Sequence, residues 1–218
     1  MFNPIYKLNG EEGEFLSMIS VENEGEDSSD GQSYPSDLPI LAAKNIVLFP
    51  GIVLPITIGR EKSILAIKEA YKNDRLIGVL TQKDMQAEDP KFQELHLVGT
   101  VARVIKLLKM PDGSYTAVLQ GRRRFSALSL IQEEPYARAN IQLMAYDSVS
   151  DELKFKALLS SIRDSAREII DISPNIPKEA NIMLQNIKQS SFLLNFIASN
   201  MNIPLKEKQS ILEENDLV

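Results

Sequence analysis

Few residues in this chain could carry catalytic chemistry. His96 is the single histidine, and cysteine is absent. One histidine without cysteine supplies neither a multi-histidine metal site nor a histidine-based catalytic triad. The lack of cysteine also excludes disulfides, thiolate metal ligands and a cysteine nucleophile. We therefore expect a structural or solvent-facing role for His96 and no metal site.

Two further kinds of active site can be examined from local motifs. The segment Gly59-Arg60-Glu61-Lys62-Ser63 ends like a phosphate-binding loop, but the glycine five positions before Gly59 is missing. Serine and lysine are plentiful, yet no serine lies in a glycine-rich nucleophile turn. The sequence thus predicts no catalytic residues and no cofactor-binding residues in this chain.

A basic run could bind nucleic acid. It comprises Arg122, Arg123 and Arg124, with Lys106 and Lys109 predicted on a neighbouring strand. Side chains alternate along a strand, so Arg123 points away from its two neighbours, and no aromatic ladder accompanies them. These features make nucleic-acid binding the weaker interpretation.

The net charge of −6 is unevenly distributed. Residues 1–37 contain nine acidic residues and one basic residue, whereas the remainder carries 21 acidic and 23 basic residues. A nearly neutral folded part gives little support to a nucleic-acid partner. Residues 9–37 are rich in Glu, Asp, Ser and Gly, and they bury too little apolar surface to offset the entropy of ordering. We therefore predict a disordered acidic tail over residues 1–37.

The stretch from Leu38 to Ser63 organises the rest of the chain. Ile46–Phe49 is a continuous apolar run, which predicts a strand buried on both faces. Pro50 and Gly51 favour a turn after it, and Pro55 predicts an edge or a bulge in the strand that follows. The longest apolar run, Ile46–Ile58, is interrupted by two prolines and is far short of the roughly 20 residues that cross a membrane.

Downstream patterns predict more strands and then helices. A helix is expected over Glu61–Lys72, and short strands with turn residues between them are expected over Leu76–Thr81, Val98–Lys109, Tyr115–Gln120, Arg122–Ile131 and Ala137–Tyr146. About six strands favour a sheet that closes on itself.

After Asp147 the apolar spacing becomes helical. A long amphipathic helix is predicted over residues 151–171, and three shorter helices follow, opened by Pro177, centred on Phe196 and opened by Pro204. The fold class is therefore α+β: a β domain over residues 38–148 and a helical subdomain over residues 149–218. The long helix needs a partner face, so weak self-association is expected.

Three sequence blocks in order carry a resemblance: VLFPGIVLPITIGREKSI, VGTVARVIKLLKMPDGSY and VLQGRRRF. They resemble the amino-terminal domain of ATP-dependent Lon proteases, which implies a PUA-like β-barrel followed by helices. The family usually has Pro-Leu-Arg where this chain has Ala42, Ala43 and Lys44. The resemblance assigns structural roles to a set of motif residues: Pro50, Gly51, Pro55, Gly59, Arg60, Gly99, Gly121 and Arg124. For Arg124 it implies a structural pairing.

The resemblance also implies a function. Lon enzymes carry their ATPase module and serine-lysine peptidase after the region matched here. The chain would then be a non-catalytic region of a cytoplasmic ATP-dependent serine protease that binds unfolded or damaged polypeptides and helps to organise a hexamer. ATP and magnesium are expected only downstream. The alternatives are a free-standing Lon-domain adaptor, if coding sequence does not continue past Val218, and an RNA-binding PUA-like module.

A polypeptide-binding surface should expose apolar side chains near a loop. Leu107, Leu108 and Met110 lie at the end of the predicted hairpin, and methionine adapts to varied partners. We predict that these three residues contact clients. The alternative is that Leu107 enters the core and Leu108 packs on the helix from Glu61.

Overall fold

The computed structural model describes residues 18–19, 34–174, 176 and 179–217. Within these ranges the chain forms strands, helices and one short 3₁₀ turn, Phe92–Glu94. The strands are β1 Met18–Ile19, β2 Asp37–Ala43, β3 Ile52–Ile58, β4 Leu76–Thr81, β5 Val98–Lys109, β6 Tyr115–Gln132 and β7 Arg138–Leu143. The helices are α1 Glu61–Lys72, α2 Glu152–Ile172, α3 Glu179–Asn186, α4 Ser190–Asn200 and α5 Leu205–Glu213.

The strands form a sheet that closes on itself. The order is β1-β3-β6-β5-β4-β2-β7, and β7 pairs with β6 as well as with β2. The long strand β6 allows this closure, because its first half pairs with β3 and its second half pairs with β7. Six strands of at least six residues, followed by a group of helices, confirm the predicted α+β class.

Two hydrophobic clusters occupy the two faces of the sheet. The smaller one is enclosed by the closed strands and is built around Leu80, Val101 and Phe125. The larger one lies on the other face and also includes side chains of α1 and of the C-terminal helices, among them Leu193 and Phe196. The β part and the helical part therefore share one core.

The prediction of a strand at Ile46–Phe49 is wrong, although the prediction that this segment is buried is correct for Val47, Leu48 and Phe49. The strand of this region is β2, which ends before Asn45, a residue with a positive φ of 59°. Phe49 is fully buried, but the segment pairs with no strand. Its backbone carbonyls instead accept side-chain hydrogen bonds, from Thr81 Oγ1 to Ile46 (2.9 Å) and from Thr100 Oγ1 to Leu48 (2.5 Å).

Strand β6 corrects a second prediction. The break expected at Gly121 is absent, and one strand of 18 residues replaces two. An irregularity in the β5–β6 register falls between Val101 and Ala102, which lie opposite Arg123 and Gly121, so Arg122 is the extra residue on β6. This bulge bends the strand without ending it. The next strand, β7, is shorter than predicted, because it begins at Arg138 and ends at Leu143.

The helices lie close to their predicted positions. Asp151 caps α2, and its side chain accepts a hydrogen bond from the Lys154 N–H (2.9 Å). Pro204 precedes α5, as its spacing predicts, whereas Pro177 lies outside the described residues.

The N-terminal prediction is only partly within the described structure. Met18 and Ile19 pair antiparallel with Val53 and Ile52, which differs from the disorder predicted for them. Residues 1–17 and 20–33 lie outside the described residues. Among the residues that the structure does describe, no helix is long and apolar enough to cross a membrane.

Candidate functional site

The β5–β6 hairpin ends in a turn that its own side chains hold in shape. Gly113 has a φ of 87°, a conformation that favours glycine. The Met110 N–H donates to the Ser114 carbonyl (2.9 Å), and both the N–H and the hydroxyl of Ser114 donate to Asp112. These hydrogen bonds, with that of the Ser114 hydroxyl the largest cause, lower the pKa of the Asp112 carboxyl. The turn is therefore a fixed platform for the residues beside it.

Three apolar side chains are exposed near this turn: Ile105, Leu108 and Met110, with exposed fractions of 43%, 42% and 40%. We call them the hairpin patch. Ile105 belongs to it because the register shifts between Val104 and Lys106, which leaves Ile105 without a partner on β6. A bulge of this kind re-aims a side chain.

Leu107 lies on the other face of the hairpin. It is opposite Ala117, and it packs against the larger core cluster. Leu108 is opposite Thr116, which is in turn opposite Thr57 on β3, and Thr57 is exposed. Of the three predicted client-binding residues, the structure thus places Leu108 and Met110 on the surface and Leu107 against the core.

Basic side chains lie on both faces of the hairpin. Lys106 and Lys109 are exposed on β5 itself. The Lys68 ammonium of α1 lies 4.6 Å from the centre of the Tyr115 ring and thereby joins the helix to the hairpin. On the hairpin, Tyr115 pairs with Lys109. A hydrogen bond with Lys68 lowers the pKa of the Tyr115 hydroxyl. Side chains alternate along a strand, so Lys106 lies on the Leu108 face, whereas Lys109 and Tyr115 lie on the Leu107 face. On its own face the patch therefore has Lys106 as its basic neighbour on β5.

The motif residues lie away from the patch, where chain segments approach each other closely. Gly51 has a φ of 81°, and its N–H donates to the Gly121 carbonyl (2.9 Å). A β-carbon on Gly121 would lie 2.2 Å from the Phe49 carbonyl oxygen, so only glycine lets this loop cross β6. The loop that follows Phe49 then begins with Pro50.

Other motif residues support the same region or have no close neighbours. Pro55 lies in β3. One edge of β3 pairs with β6 from Val53 to Ile58, whereas the other edge pairs with β1 only at Ile52 and Val53. A β-carbon on Gly99 would lie 2.2 Å from the Val79 carbonyl oxygen, whereas one on Gly59 would meet no atom within 4 Å. Arg60 donates to Gln82 Oε1 (2.7 Å) and thereby supports the connection after β4.

Arg124 is buried, with an exposed fraction of 2%. Its guanidinium donates to the carbonyls of Leu212 (3.0 Å) and Glu214 near the end of α5, and to the carbonyl of Ala145 (3.0 Å) after β7. It also lies 3.7 Å from the centre of the Tyr146 ring. The cation faces the carbonyl end of a helix, where positive charge is favourable. Arg124 thus fastens α5 to the closed sheet.

His96 lies beside the same helix. Its Nδ1 is 3.4 Å from a carboxylate oxygen of Glu213. Within the described ranges, no group of three or more His, Asp or Glu side chains could hold a metal ion. An open groove is lined by charges of both signs, including Lys44, Arg60 and Asp89.

Comparison with known proteins identifies the family. The model of the ATP-dependent protease La (LON) substrate-binding domain matches residues 37–218. The Lon protease of Cytophaga hutchinsonii is 44% identical over 213 residues, which cover 97% of this chain and 26% of that protein. The Lon protease of Flavobacterium johnsoniae is 43% identical over 207 residues, or 94% of this chain and 25% of that protein. The chain belongs to the Lon substrate-binding domain family, and it spans about a quarter of the length of these curated relatives.

Two solved structures share the fold. The N-terminal domain of the Mycobacterium avium complex Lon protease superposes with a TM-score of 0.66 at 18% identity, covering 83% of this chain and 91% of that one. The Lon N-terminal domain protein from Xanthomonas campestris gives a TM-score of 0.59 at 16% identity, covering 84% and 93%. The resemblance inferred from the three sequence blocks is confirmed.

Proposed function

We propose that this chain is the polypeptide-binding region of an ATP-dependent Lon-type serine protease and that the hairpin patch contacts its clients. The observation that supports the proposal is the shared exposure of Ile105, Leu108 and Met110 at one hairpin end. Exposed apolar side chains that cluster at one end of a hairpin offer a contact surface for a protein partner. Unfolded polypeptides expose the apolar segments that such a patch would cover.

The chemistry of the patch suits clients of varied sequence. Met110 has a flexible and polarisable side chain that fits different partners. Lys106, which is exposed on the same face as Leu108, would attract acidic residues that flank an apolar client segment, and this would raise the association rate more than the affinity. We therefore expect broad selectivity, with a preference for apolar segments next to acidic ones.

The remaining features of the parent enzyme form part of the same proposal. The two Lon proteases are about four times as long as the segment that matches this chain. This difference in length supports a catalytic region beyond this chain. ATP, magnesium and the serine nucleophile would act there, in a cytoplasmic homohexamer. We infer no role for nucleic acid, since Arg124 uses its guanidinium inside the fold.

The proposal is tested by the variant L108S/M110S. Each change removes an apolar side chain that is about 40% exposed, so together they should weaken client binding by about 1.4 kcal/mol, or roughly tenfold. Binding is measured as the fluorescence anisotropy of labelled β-casein. The matched control is L128S/I131S, which removes two exposed apolar side chains from the second half of β6, away from the hairpin turn.

The expected result is a roughly tenfold higher Kd for L108S/M110S, a control within about twofold of the wild type, and a stability change of about 1 kcal/mol or less for both. Equal affinities for the two variants would contradict the proposal. A stability loss of about 2 kcal/mol or more with unchanged binding would assign Leu108 and Met110 a packing role instead.

A further inference from the structure

Helix α2 carries two apolar stripes. The first consists of Leu159, Ala166 and Ile170, which pack against the larger core cluster or belong to it. Arg163, on the same side, donates to the carbonyls of Leu184 (2.9 Å) and Ile187 (3.0 Å) at the end of α3. This stripe is used within the chain.

The second stripe faces solvent. We call it the α2 seam, and it comprises Phe155, Leu158, Ile162, Ser165, Ile169 and Ile172. The exposed fractions of Leu158, Ile162, Ile169 and Ile172 are 41%, 38%, 55% and 75%. The spacing alternates between three and four residues over about two and a half heptads, which is the pattern of a coiled-coil seam.

The two stripes are separate faces of one helix. With about 100° of rotation per residue, the seam is centred roughly 100° from the core stripe. Each member of the seam except the half-buried Phe155 is exposed, so the described part of the chain leaves this face uncovered. A stripe of this regularity fits another helix better than an irregular surface.

Charges beside the seam identify the partner. Lys154 and Glu168 are both exposed and lie along the same edge of the seam, near its opposite ends. When two such helices pair antiparallel, Lys154 of each copy lies beside Glu168 of the other, and the two-fold symmetry produces this contact twice. We propose that the α2 seam pairs antiparallel with the same seam of a second copy of this chain.

A parallel pair does not create these contacts. Residues of the Lys154 edge would then face the other edge of the partner seam, where Leu159 and Ala166 are packed against the core. Lys154 would lie near an apolar residue and Glu168 would have no basic partner. The charge pattern therefore selects the antiparallel arrangement.

The pairing should be weak. A helix of 21 residues is about 31 Å long, and one pair of this length buries much less than the roughly 1,600 Å² of a standard interface. Ser165 interrupts the apolar seam near its middle. We expect a dimer that forms at roughly 100 µM chain, and this expectation does not depend on client binding by the hairpin patch.

Sedimentation equilibrium of the full 218-residue chain tests the proposal. The wild type should approach twice its 24.4 kDa mass as the concentration rises to roughly 500 µM. I162D places a charge in the seam and should weaken the dimer at least about 100-fold. The control is L153D, because Leu153 is 84% exposed on α2 but lies away from the seam. A wild type that stays monomeric, or equal weakening by I162D and L153D, would overturn the proposal.

A charge exchange tests the orientation. K154E or E168K alone replaces two attractive contacts by two repulsive ones, so each should weaken the dimer by roughly tenfold. The double variant K154E/E168K exchanges the charges and should restore the wild-type Kd to within about threefold. Circular dichroism verifies that the helix content is unchanged. A double variant as weak as the single variants would refute the antiparallel pair.

Discussion

Replacing Arg124 by alanine should destabilise the whole fold and the last helix most of all. The buried guanidinium donates hydrogen bonds to the carbonyls of Leu212, Glu214 and Ala145. A hydrogen bond from a charged donor contributes about 1.5–3 kcal/mol, and part of this sum is offset because the charge no longer has to be buried. We expect R124A to lose about 3–5 kcal/mol, a large part of the 5–15 kcal/mol of a typical domain.

The assay is urea unfolding followed by circular dichroism, combined with native-state amide hydrogen exchange. R124A should lower the urea midpoint and should remove exchange protection from α5 before it affects β5 and β6, because α5 loses its attachment to the sheet. R124K should recover only part of the loss, since an ammonium cannot reproduce the planar fork of the guanidinium.

The matched control is R123A, a neighbouring exposed arginine whose removal should cost about 0.5 kcal/mol or less. If R124A lost less than about 1 kcal/mol, or if α5 kept its exchange protection, the role assigned to Arg124 would be refuted.

Two further predictions follow from the loops. G121A should cost about 3 kcal/mol or more in urea unfolding, because the added β-carbon would lie 2.2 Å from the Phe49 carbonyl oxygen, whereas G59A should be tolerated because no atom lies within 4 Å. Equal costs would contradict this account. The folded-state pKa of Asp112 is lowered, so its stabilising contribution is present above the unfolded pKa of about 3.9 and is lost as the pH falls through the folded value. S114A should move the Asp112 carboxyl titration measured by NMR to higher pH, and an unchanged titration would exclude the Ser114 hydroxyl as the main cause.

Local patterns predicted the regular elements well. The bounds of α1, β4 and β5 are those expected from apolar spacing and turn residues. The strand predicted at Ile46–Phe49 failed because its carbonyls are satisfied by Thr81 and Thr100, which are distant in sequence. A buried apolar run whose backbone carbonyls accept hydrogen bonds from side chains has the same local sequence pattern as a strand.

The hairpin patch could also be predicted only in part from local sequence patterns. Leu108 and Met110 could be placed at the hairpin end because the turn sequence fixes its position. Ile105 could not, since its exposure depends on a bulge in the pairing with β6. The inward position of Leu107 depends on the same register, so composition alone did not separate it from its neighbour.

The attachment of α5 to Arg124 has a consequence for synthesis of the protein. Arg124 and Leu212 are 88 residues apart, a distance that a ribosome covers in roughly 4–18 s at 5–20 residues per second. During that interval the guanidinium lacks the carbonyls of Leu212 and Glu214 and can donate to that of Ala145. A guanidinium that has not yet gained these acceptors is more favourable in water, so the part of the sheet around Arg124 stays hydrated until α5 packs on it. The region of the nascent sheet that α5 covers in the finished fold is therefore accessible to chaperones and proteases until the C-terminal helix has emerged.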